Sequence, residues 1–359
     1  KILLVQDRLR GGGTERQTVF LARAFAARGH TVSLITFRPG GALATDLAGT
    51  SVRLRALQSF DTRLDWFAPG LSRWAQRLAP DIVLCMGRMA NCRATQLQRA
   101  LPHAAVVATV RTGKALPWLY RRSLRATRHV VANSEFARRT LVAHAGASER
   151  CTVIPNALLF AGLLAIEPAP SSPPVILNVA QFRRGKGHAE LIAICATLPR
   201  SLDWRLELVG DGPERPRCER LAAASGIADR VVFHGWQSDP AHFYRSASIA
   251  ALASQPGYES LPNFLVEAQC AGLPVVAFDT DGVAETFRDG ASGRLVPAGD
   301  HTGFAAALAE LLRRADCRTA MSAAARTWAR DRFDPERQVG AYLELFERPA
   351  PGPDVGAPF

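Results

Sequence analysis

The chain lacks several features that would narrow its class at once. No apolar run approaches the roughly 18 uninterrupted residues that a membrane-spanning helix needs, so no such helix is expected. The opening stretch, Lys1-Ile2-Leu3-Leu4-Val5, is short and is followed at once by Asp7 and Arg8. It reads as a first strand rather than a secretory leader. The seven cysteines (Cys85, Cys92, Cys151, Cys195, Cys218, Cys270 and Cys317) are scattered and form no C-x-x-C pair. Without a pairing framework they read as reduced thiols in small core positions, in a cytoplasmic setting. No helix-turn-helix, zinc-finger or RNA-binding aromatic signature is present, so nucleic acid is not expected as a partner. No internal repeat stands out.

Acidic residues are scarce in one half only. Residues 1–160 hold 24 Lys/Arg and 8 Asp/Glu, a balance of +16. The remainder holds 44 − 24 = 20 basic and 32 − 8 = 24 acidic residues, a balance of −4. The first half therefore meets something anionic or simply repels itself. Its basic peak is Arg111, Lys114, Arg121, Arg122, Arg125 and Arg128, with Trp118, Leu119 and Tyr120 inside the run. Two readings stay open: residues 111–128 touch an anionic membrane surface, or they form a solvated helix face.

What is present points to two α/β domains. A chain of 359 residues with a 48% apolar share is long enough for two cores. Strand-like runs at Ile2–Gln6, Thr31–Phe37, Asp81–Met86, Ala104–Val110 and His129–Ala132 alternate with helical patterns at 14–28, 65–79, 92–101, 118–127 and 135–144. A second alternating series begins at Val175–Val179 and runs through Arg205–Val209, Val231–Phe233 and Ile249–Ala253. Such alternation predicts parallel, doubly wound sheets. Between the two series, Glu167–Pro174 is rich in Pro and Ser and reads as a stiff linker. The tail Arg348–Phe359 carries four prolines and is expected to be poorly ordered.

The informative stretch is Gly257-Tyr258-Glu259-Ser260-Leu261-Pro262-Asn263-Phe264-Leu265-Val266-Glu267. It joins a strand to an amphipathic helical run. Pro262 suits a first-turn position, where its missing N–H would be unpaired anyway. The early amides of such a helix, with its dipole, can seat a phosphate. A nearby carboxylate can accept hydrogen bonds from sugar hydroxyls. Taken singly, Glu259 could be a plain cap and Glu267 a solvated helix residue. Arg183, Arg184 and Lys186 stand at another strand's carboxyl end, where cations could hold the charge that develops on a departing diphosphate. The Gly11-Gly12-Gly13 turn precedes a helix and lets backbone approach a ligand, but it lacks a dinucleotide or Walker spacing. Arg111 is either a phosphate or acceptor contact or part of the basic face. Asp279-Thr280-Asp281 has the form of a D-x-D metal motif, yet its place after a strand reads as a turn.

Together these motifs resemble, in order and over nearly the whole chain, the retaining nucleotide-sugar glycosyltransferases of glycosyltransferase family 4. The resemblance rests on the E-x7-E pair Glu259 and Glu267, on Ala271–Ala277, on Gly290–Pro297, on Asn178–Gly187 and on the glycine turn. It implies a GT-B fold: two doubly wound, Rossmann-like parallel-sheet domains facing a central cleft. Residues 1–165 would bind the acceptor and 174–332 the nucleotide-sugar donor. A helix over 335–347 would cross back to the first domain, ahead of a flexible tail, 348–359.

By the same resemblance Glu259 contacts donor-sugar hydroxyls and Glu267 the ribose. Amides of Leu261, Asn263 and Phe264 line the diphosphate, and Gly12, Gly13, Gly210 and His234 lie against the donor. Lys186 and Gly187 match the family's Gly-Arg-x4-Lys-Gly motif. Ala180 and Gln181 do not, so Arg183 or Arg184 is expected to replace the missing arginine. Relatives often carry a histidine near Arg111. The implied activity is retaining transfer, without a metal or other cofactor, of a hexose or N-acetylhexosamine from a UDP-linked donor. The implied acceptor is a saccharide or lipid-linked glycan of the cell envelope, such as lipopolysaccharide, at the inner face of the plasma membrane. Two other classes remain: a same-fold epimerase or hydrolase of the nucleotide sugar, and a non-catalytic module that binds anionic surfaces.

Overall fold

The structure is a computed structural model that describes residues 1–112, 116–127, 129–145, 150–159, 161–167 and 169–348. Gly113, Lys114, Arg128, Pro168 and the expected tail beyond Arg348 lie outside the described residues. The chain forms two compact units. One comprises Lys1–Arg111, Ala115–Leu159 and Pro335–Phe359, and the other Thr112–Lys114 and Phe160–Asp334.

The first unit is built on seven parallel strands: β1 (Ile2–Gln6), β2 (Val32–Thr36), β3 (Arg53–Ala56), β4 (Ile82–Cys85), β5 (Ala105–Val110), β6 (His129–Ala132) and β7 (Cys151–Val153). Their order across the sheet is β3-β2-β1-β4-β5-β6-β7. Helices α1 (Gly13–Ala27), α2 (Leu71–Leu78), α3 (Arg88–Cys92), α4 (Ala94–Ala100), α5 (Trp118–Ala126) and α6 (Glu135–Ala145) connect them. Every residue of β1 is buried, as expected of a central strand covered on both faces. The predicted helix over 65–79 is shorter, because Gly70 turns left-handed just before Leu71 and Asp65 is held by Arg8 and Arg38.

The second unit has six parallel strands: β8 (Val175–Val179), β9 (Arg205–Val209), β10 (Val231–Gly235), β11 (Ile249–Leu252), β12 (Val275–Asp279) and β13 (Gly293–Pro297). They lie in the order β10-β9-β8-β11-β12-β13. The helices are α7 (His188–Ala196), α8 (Arg215–Ala224), α9 (Ala241–Ser246), α10 (Asn263–Cys270), α11 (His301–Arg313) and α12 (Ala315–Arg332). Phe182, Leu191, Leu206, Leu208, Phe304 and Leu308 belong to the core on one side of this sheet.

The last helix, α13 (Pro335–Glu347), belongs to the first unit. Tyr342 sets its ring edge against Phe25 of α1, and Gln338 donates to Gln17 at 3.1 Å and to the Pro155 carbonyl at 2.7 Å. The Pro/Ser stretch 167–174 is not the point of division. Its Ala169 and Ser171 amides donate to the Arg245 and Ser246 carbonyls at 3.0 and 2.9 Å, which ties it to the second unit.

Both sheets reverse direction of winding once, between β1 and β4 and between β8 and β11. In open parallel sheets the loops at the carboxyl ends of such a strand pair splay apart and leave room for a ligand. The loops after β8 and β11 are the ones that carry Lys186 and Glu259.

Candidate active site

The loop after β8 is held open by its glycines. Gly187, at φ +77°, precedes α7, and a Cβ placed on it would lie 2.0 Å from the Ala253 carbonyl oxygen just past β11. Only glycine fits that approach. The Gln255 amide donates to the Gly185 carbonyl at 3.0 Å, so the two loops are joined backbone to backbone. This contact brings Lys186 to Glu259, 73 residues away in sequence: Lys186 Nζ donates to Glu259 Oε1 at 2.8 Å. The carboxylate is buried while the lysine is partly exposed. Ser254 Oγ donates to the same oxygen at 2.9 Å.

Asp281 orders the segment from below. Its two carboxylate oxygens accept the amides of Gly257 and Glu259, each at 2.9 Å. It does so at φ +52°, a left-handed conformation that aspartate tolerates better than most residues. Asp281, the second acid of the D-x-D pattern, thus clamps the loop that carries Glu259.

Helix α10 begins at Asn263, one residue later than expected, with Pro262 as the extended residue before it. The Leu261 and Phe264 amides donate to no group among the described residues, and their side chains are buried. Leu261 and Phe264 follow Glu259 closely in the chain, at the start of α10, where helix amides and dipole favour an anion. One turn into the helix, Glu267 is buried and accepts the Tyr244 hydroxyl of α9 at 2.5 Å. A buried carboxylate held this way keeps one oxygen oriented.

The other predicted residues fall into three groups. Arg183 and Arg184 are exposed, and neither guanidinium forms a hydrogen bond or ion pair among the described residues. They are free to move onto an anion. Gly210 (φ +138°) packs: a Cβ there would sit 2.0 Å from the Ala180 carbonyl oxygen, and its amide donates to Gly235 at 2.8 Å. His234 places Nε2 3.3 Å from the Glu207 carboxylate and its ring 4.6 Å from that of Phe243. In the first unit, the Gly11 and Gly12 amides both donate to Glu15 Oε2 at 2.6 Å. The glycine turn before Gly13 is therefore closed by the chain's own carboxylate. Arg111 donates to Asn156 Oδ1 at 2.5 Å and to the Tyr342 hydroxyl at 2.7 Å.

Sequence reasoning missed Ser254, Asp281 and Tyr244 as partners of the two glutamates. It also passed over His188, whose buried ring stacks on Phe182 at 4.0 Å. Burial pushes the His188 pKa down to about 4, and the nearby Ala180 carbonyl offsets this only in part. On α5, Tyr120 is buried and donates to the Thr109 carbonyl, so it is no surface aromatic; Trp118 and Leu119 are exposed, at 60% and 54%.

Comparison with known proteins gives the family. Residues 11–158 match the model of Glycosyltransferase Family 4, and residues 163–328 match that of glycosyl transferases group 1. The chain is 30% identical over 341 residues to the lipopolysaccharide core biosynthesis glycosyltransferase LpsE of Rhizobium meliloti (strain 1021), covering 93% of this chain and 95% of that protein. Among solved structures, Anabaena HepE in complex with UDP superposes with a TM-score of 0.80 at 21% identity, over 96% of this chain and 99% of that one. WaaG, a glycosyltransferase involved in lipopolysaccharide biosynthesis, superposes with a TM-score of 0.75 at 19% identity, over 97% and 100%. Two parallel-sheet units with these matches make the chain a GT-B glycosyltransferase of the family 4 type.

Proposed function

We propose that the protein transfers a hexose or N-acetylhexosamine, with retention at the anomeric carbon and without a metal, from a UDP-sugar to a glycan or glycolipid acceptor of the cell envelope. The observation that carries this reading is the Lys186–Glu259 contact at 2.8 Å, where the β8 and β11 loops meet beside the open α10 amides. A cation, a carboxylate and free amides within one segment suit a diphosphate joined to a sugar. LpsE and WaaG are named for lipopolysaccharide assembly, and HepE has been solved with UDP and with UDP-glucose, which supports the acceptor class and the donor.

In this reading the second unit binds the donor and the first the acceptor. Lys186 turns to the diphosphate with Arg183 or Arg184, and the amides of Leu261, Asn263 and Phe264 line the same anion. Glu259, released from the lysine, takes donor-sugar hydroxyls, and Glu267 takes the ribose. The bond from the anomeric carbon to the phosphate oxygen breaks as the acceptor oxygen bonds to that carbon from the same face. The acceptor's proton passes to the departing phosphate oxygen, and UDP leaves. No side-chain base is needed, and the cations do the electrostatic work. Asp281, engaged with amides, is not offered as a metal ligand. The exposed Trp118 and Leu119, beside Arg122 and Arg125, suit peripheral contact with an anionic membrane at the cytoplasmic face. No helix among the described residues is long and apolar enough to cross a membrane.

The test begins with thermal shifts. UDP at 100 times its dissociation constant should stabilise the protein by about 2.7 kcal/mol. With a UDP-sugar and a lipopolysaccharide-derived acceptor, Glu259→Gln should lower turnover about 100-fold or more. The product's anomeric proton coupling should match the donor's, and EDTA should leave the rate unchanged. Full turnover by Glu259→Gln would overturn the site, and an inverted product would overturn retention.

A further inference from the structure

The first unit holds a cation without a counter-ion at the ligand edge of its own sheet. Arg111 follows β5 directly, at the carboxyl ends of the parallel strands. Its guanidinium is met by Asn156 Oδ1 at 2.5 Å and by the Tyr342 hydroxyl at 2.7 Å, both neutral groups. Its Nε–H is buried and has no acceptor among the described residues. Among the described residues no carboxylate pairs with it.

Two other arginines, Arg38 and Arg318, are treated differently. Arg38 is buried between Asp61 and Asp65, at 2.6 Å from each. Arg318 donates to the Leu311 and Leu312 carbonyls near the negative end of α11. Arg111 has neither arrangement, and an arginine cannot shed its proton to escape the cost. A half-buried cation that the fold leaves unneutralised is completed by an anion from outside. Asn156, buried in the turn after β7, and Tyr342, buried in α13, hold the guanidinium plane still, so a fixed fork is presented rather than a mobile one. The +16 balance of residues 1–160 favours the approach of an anion.

We infer that Arg111 is an anion seat in the first unit and takes a phosphate or carboxylate group carried by the sugar acceptor. The acceptor's role rests on the glycosyl-transfer reading above; the anion seat itself does not. The probe is inorganic phosphate, with acetate as the carboxylate arm, added to the full chain saturated with UDP and, in parallel, to Lys186→Gln without UDP. The readout is the arginine side-chain Nε–H resonances by NMR. One resonance, identified by its loss in Arg111→Lys, should move with the titrant, and Arg111→Gln should bind the titrant about tenfold more weakly, the effect of one lost charge-assisted hydrogen bond.

A response to phosphate alone points to a phosphorylated acceptor, and a response to acetate alone to an acidic sugar. If the resonance answers neither titrant, the inference fails, whether or not Arg111→Gln folds. The UDP thermal shift is scored separately. Its loss in wild type would sink the donor reading while the Lys186→Gln arm still decides Arg111.

Discussion

The two units place the same fold feature to opposite use. In the first, the helix starts nearest the switch point are closed by the chain's own acids. Glu15 takes the Gly11 and Gly12 amides before α1, and Asp7 takes the Met89 and Ala90 amides of α3 at 3.0 and 2.8 Å. In the second unit the Leu261 and Phe264 amides meet no acid among the described residues, and the nearby carboxylate of Glu259 is turned to Lys186. A helix start attracts anions only while its amides are unspent. On the proposed function, this difference suits the second unit to the diphosphate, although both units carry glycine turns at the corresponding strand ends.

The largest effect expected from this contrast compares two glycines. Gly187→Ala would drive a Cβ to 2.0 Å from the Ala253 carbonyl at φ +77°. Left-handed strain and overpacking together should cost about 2–5 kcal/mol and separate the Lys186 and Glu259 loops. Gly12→Ala, at φ −73° with its nearest contact at 3.4 Å, should change stability by no more than about 1 kcal/mol, the preference of an N-cap for Gly over Ala. Denaturant unfolding of the two variants measures both. Equal losses would mean that the two turns are alike and that the contrast is wrong.

Acid should pull the units apart. Burial raises the Asp7 carboxyl to about 6, against which the Met89 and Ala90 amides work only partly, and burial lowers His188 to about 4. Asp7 binds its proton more tightly folded than unfolded, so its contribution is fully present below about pH 3.8 and is lost as pH rises through 6. His188 binds its proton less tightly when folded. Its contribution is present above about pH 6.5 and is lost as pH falls toward 4. Each is worth at most about 3 kcal/mol. Between pH 6.5 and 4, hydrogen exchange should therefore show α7 losing protection before β1. Asp7→Asn should remove the first trend and His188→Phe the second. A chain whose two units lose protection together over that range would contradict the pairing.

Much of this was legible in the sequence, and the failures have physical causes. The central strands were found because buried parallel strands are continuous apolar runs, as in Ile2–Gln6 and Val175–Val179. Edge strand β3, Arg53-Leu54-Arg55-Ala56, was missed: three of its four residues are exposed, so no apolar run marks it. Glu259, Glu267 and Lys186 could be picked out by spacing and resemblance. That Lys186 and Glu259 touch could not, because a contact across 73 residues leaves no local pattern. Gly12 and Gly210 illustrate a further limit. Glycine in a turn says that backbone comes close to something, and only the fold says whether that is a ligand, a neighbouring carbonyl or, as at Gly12, the chain's own Glu15.

Asp281 sharpens the comparison with the smallest expected effect. Its side chain does for the Glu259 loop what Glu15 does for the glycine turn, accepting two amides, but here the clamped loop carries the carboxylate proposed to hold the donor sugar. Asn keeps an oxygen for one amide and tolerates the left-handed backbone, so Asp281→Asn should lose about 1 kcal/mol of stability. Glu15→Gln should lose a similar amount. Their effects on turnover should differ. With the Gly257–Glu259 segment held by one bond instead of two, the Glu259 carboxylate wanders, and kcat should fall about tenfold with little change in donor KM, because a small misplacement weakens transition-state contacts more than ground-state ones. Glu15→Gln, which acts on the glycine turn of the first unit, should leave kcat within about twofold. Steady-state kinetics on the two variants decides the matter: equal falls in kcat would show that Asp281 acts on stability alone and that the clamp has no special claim on Glu259.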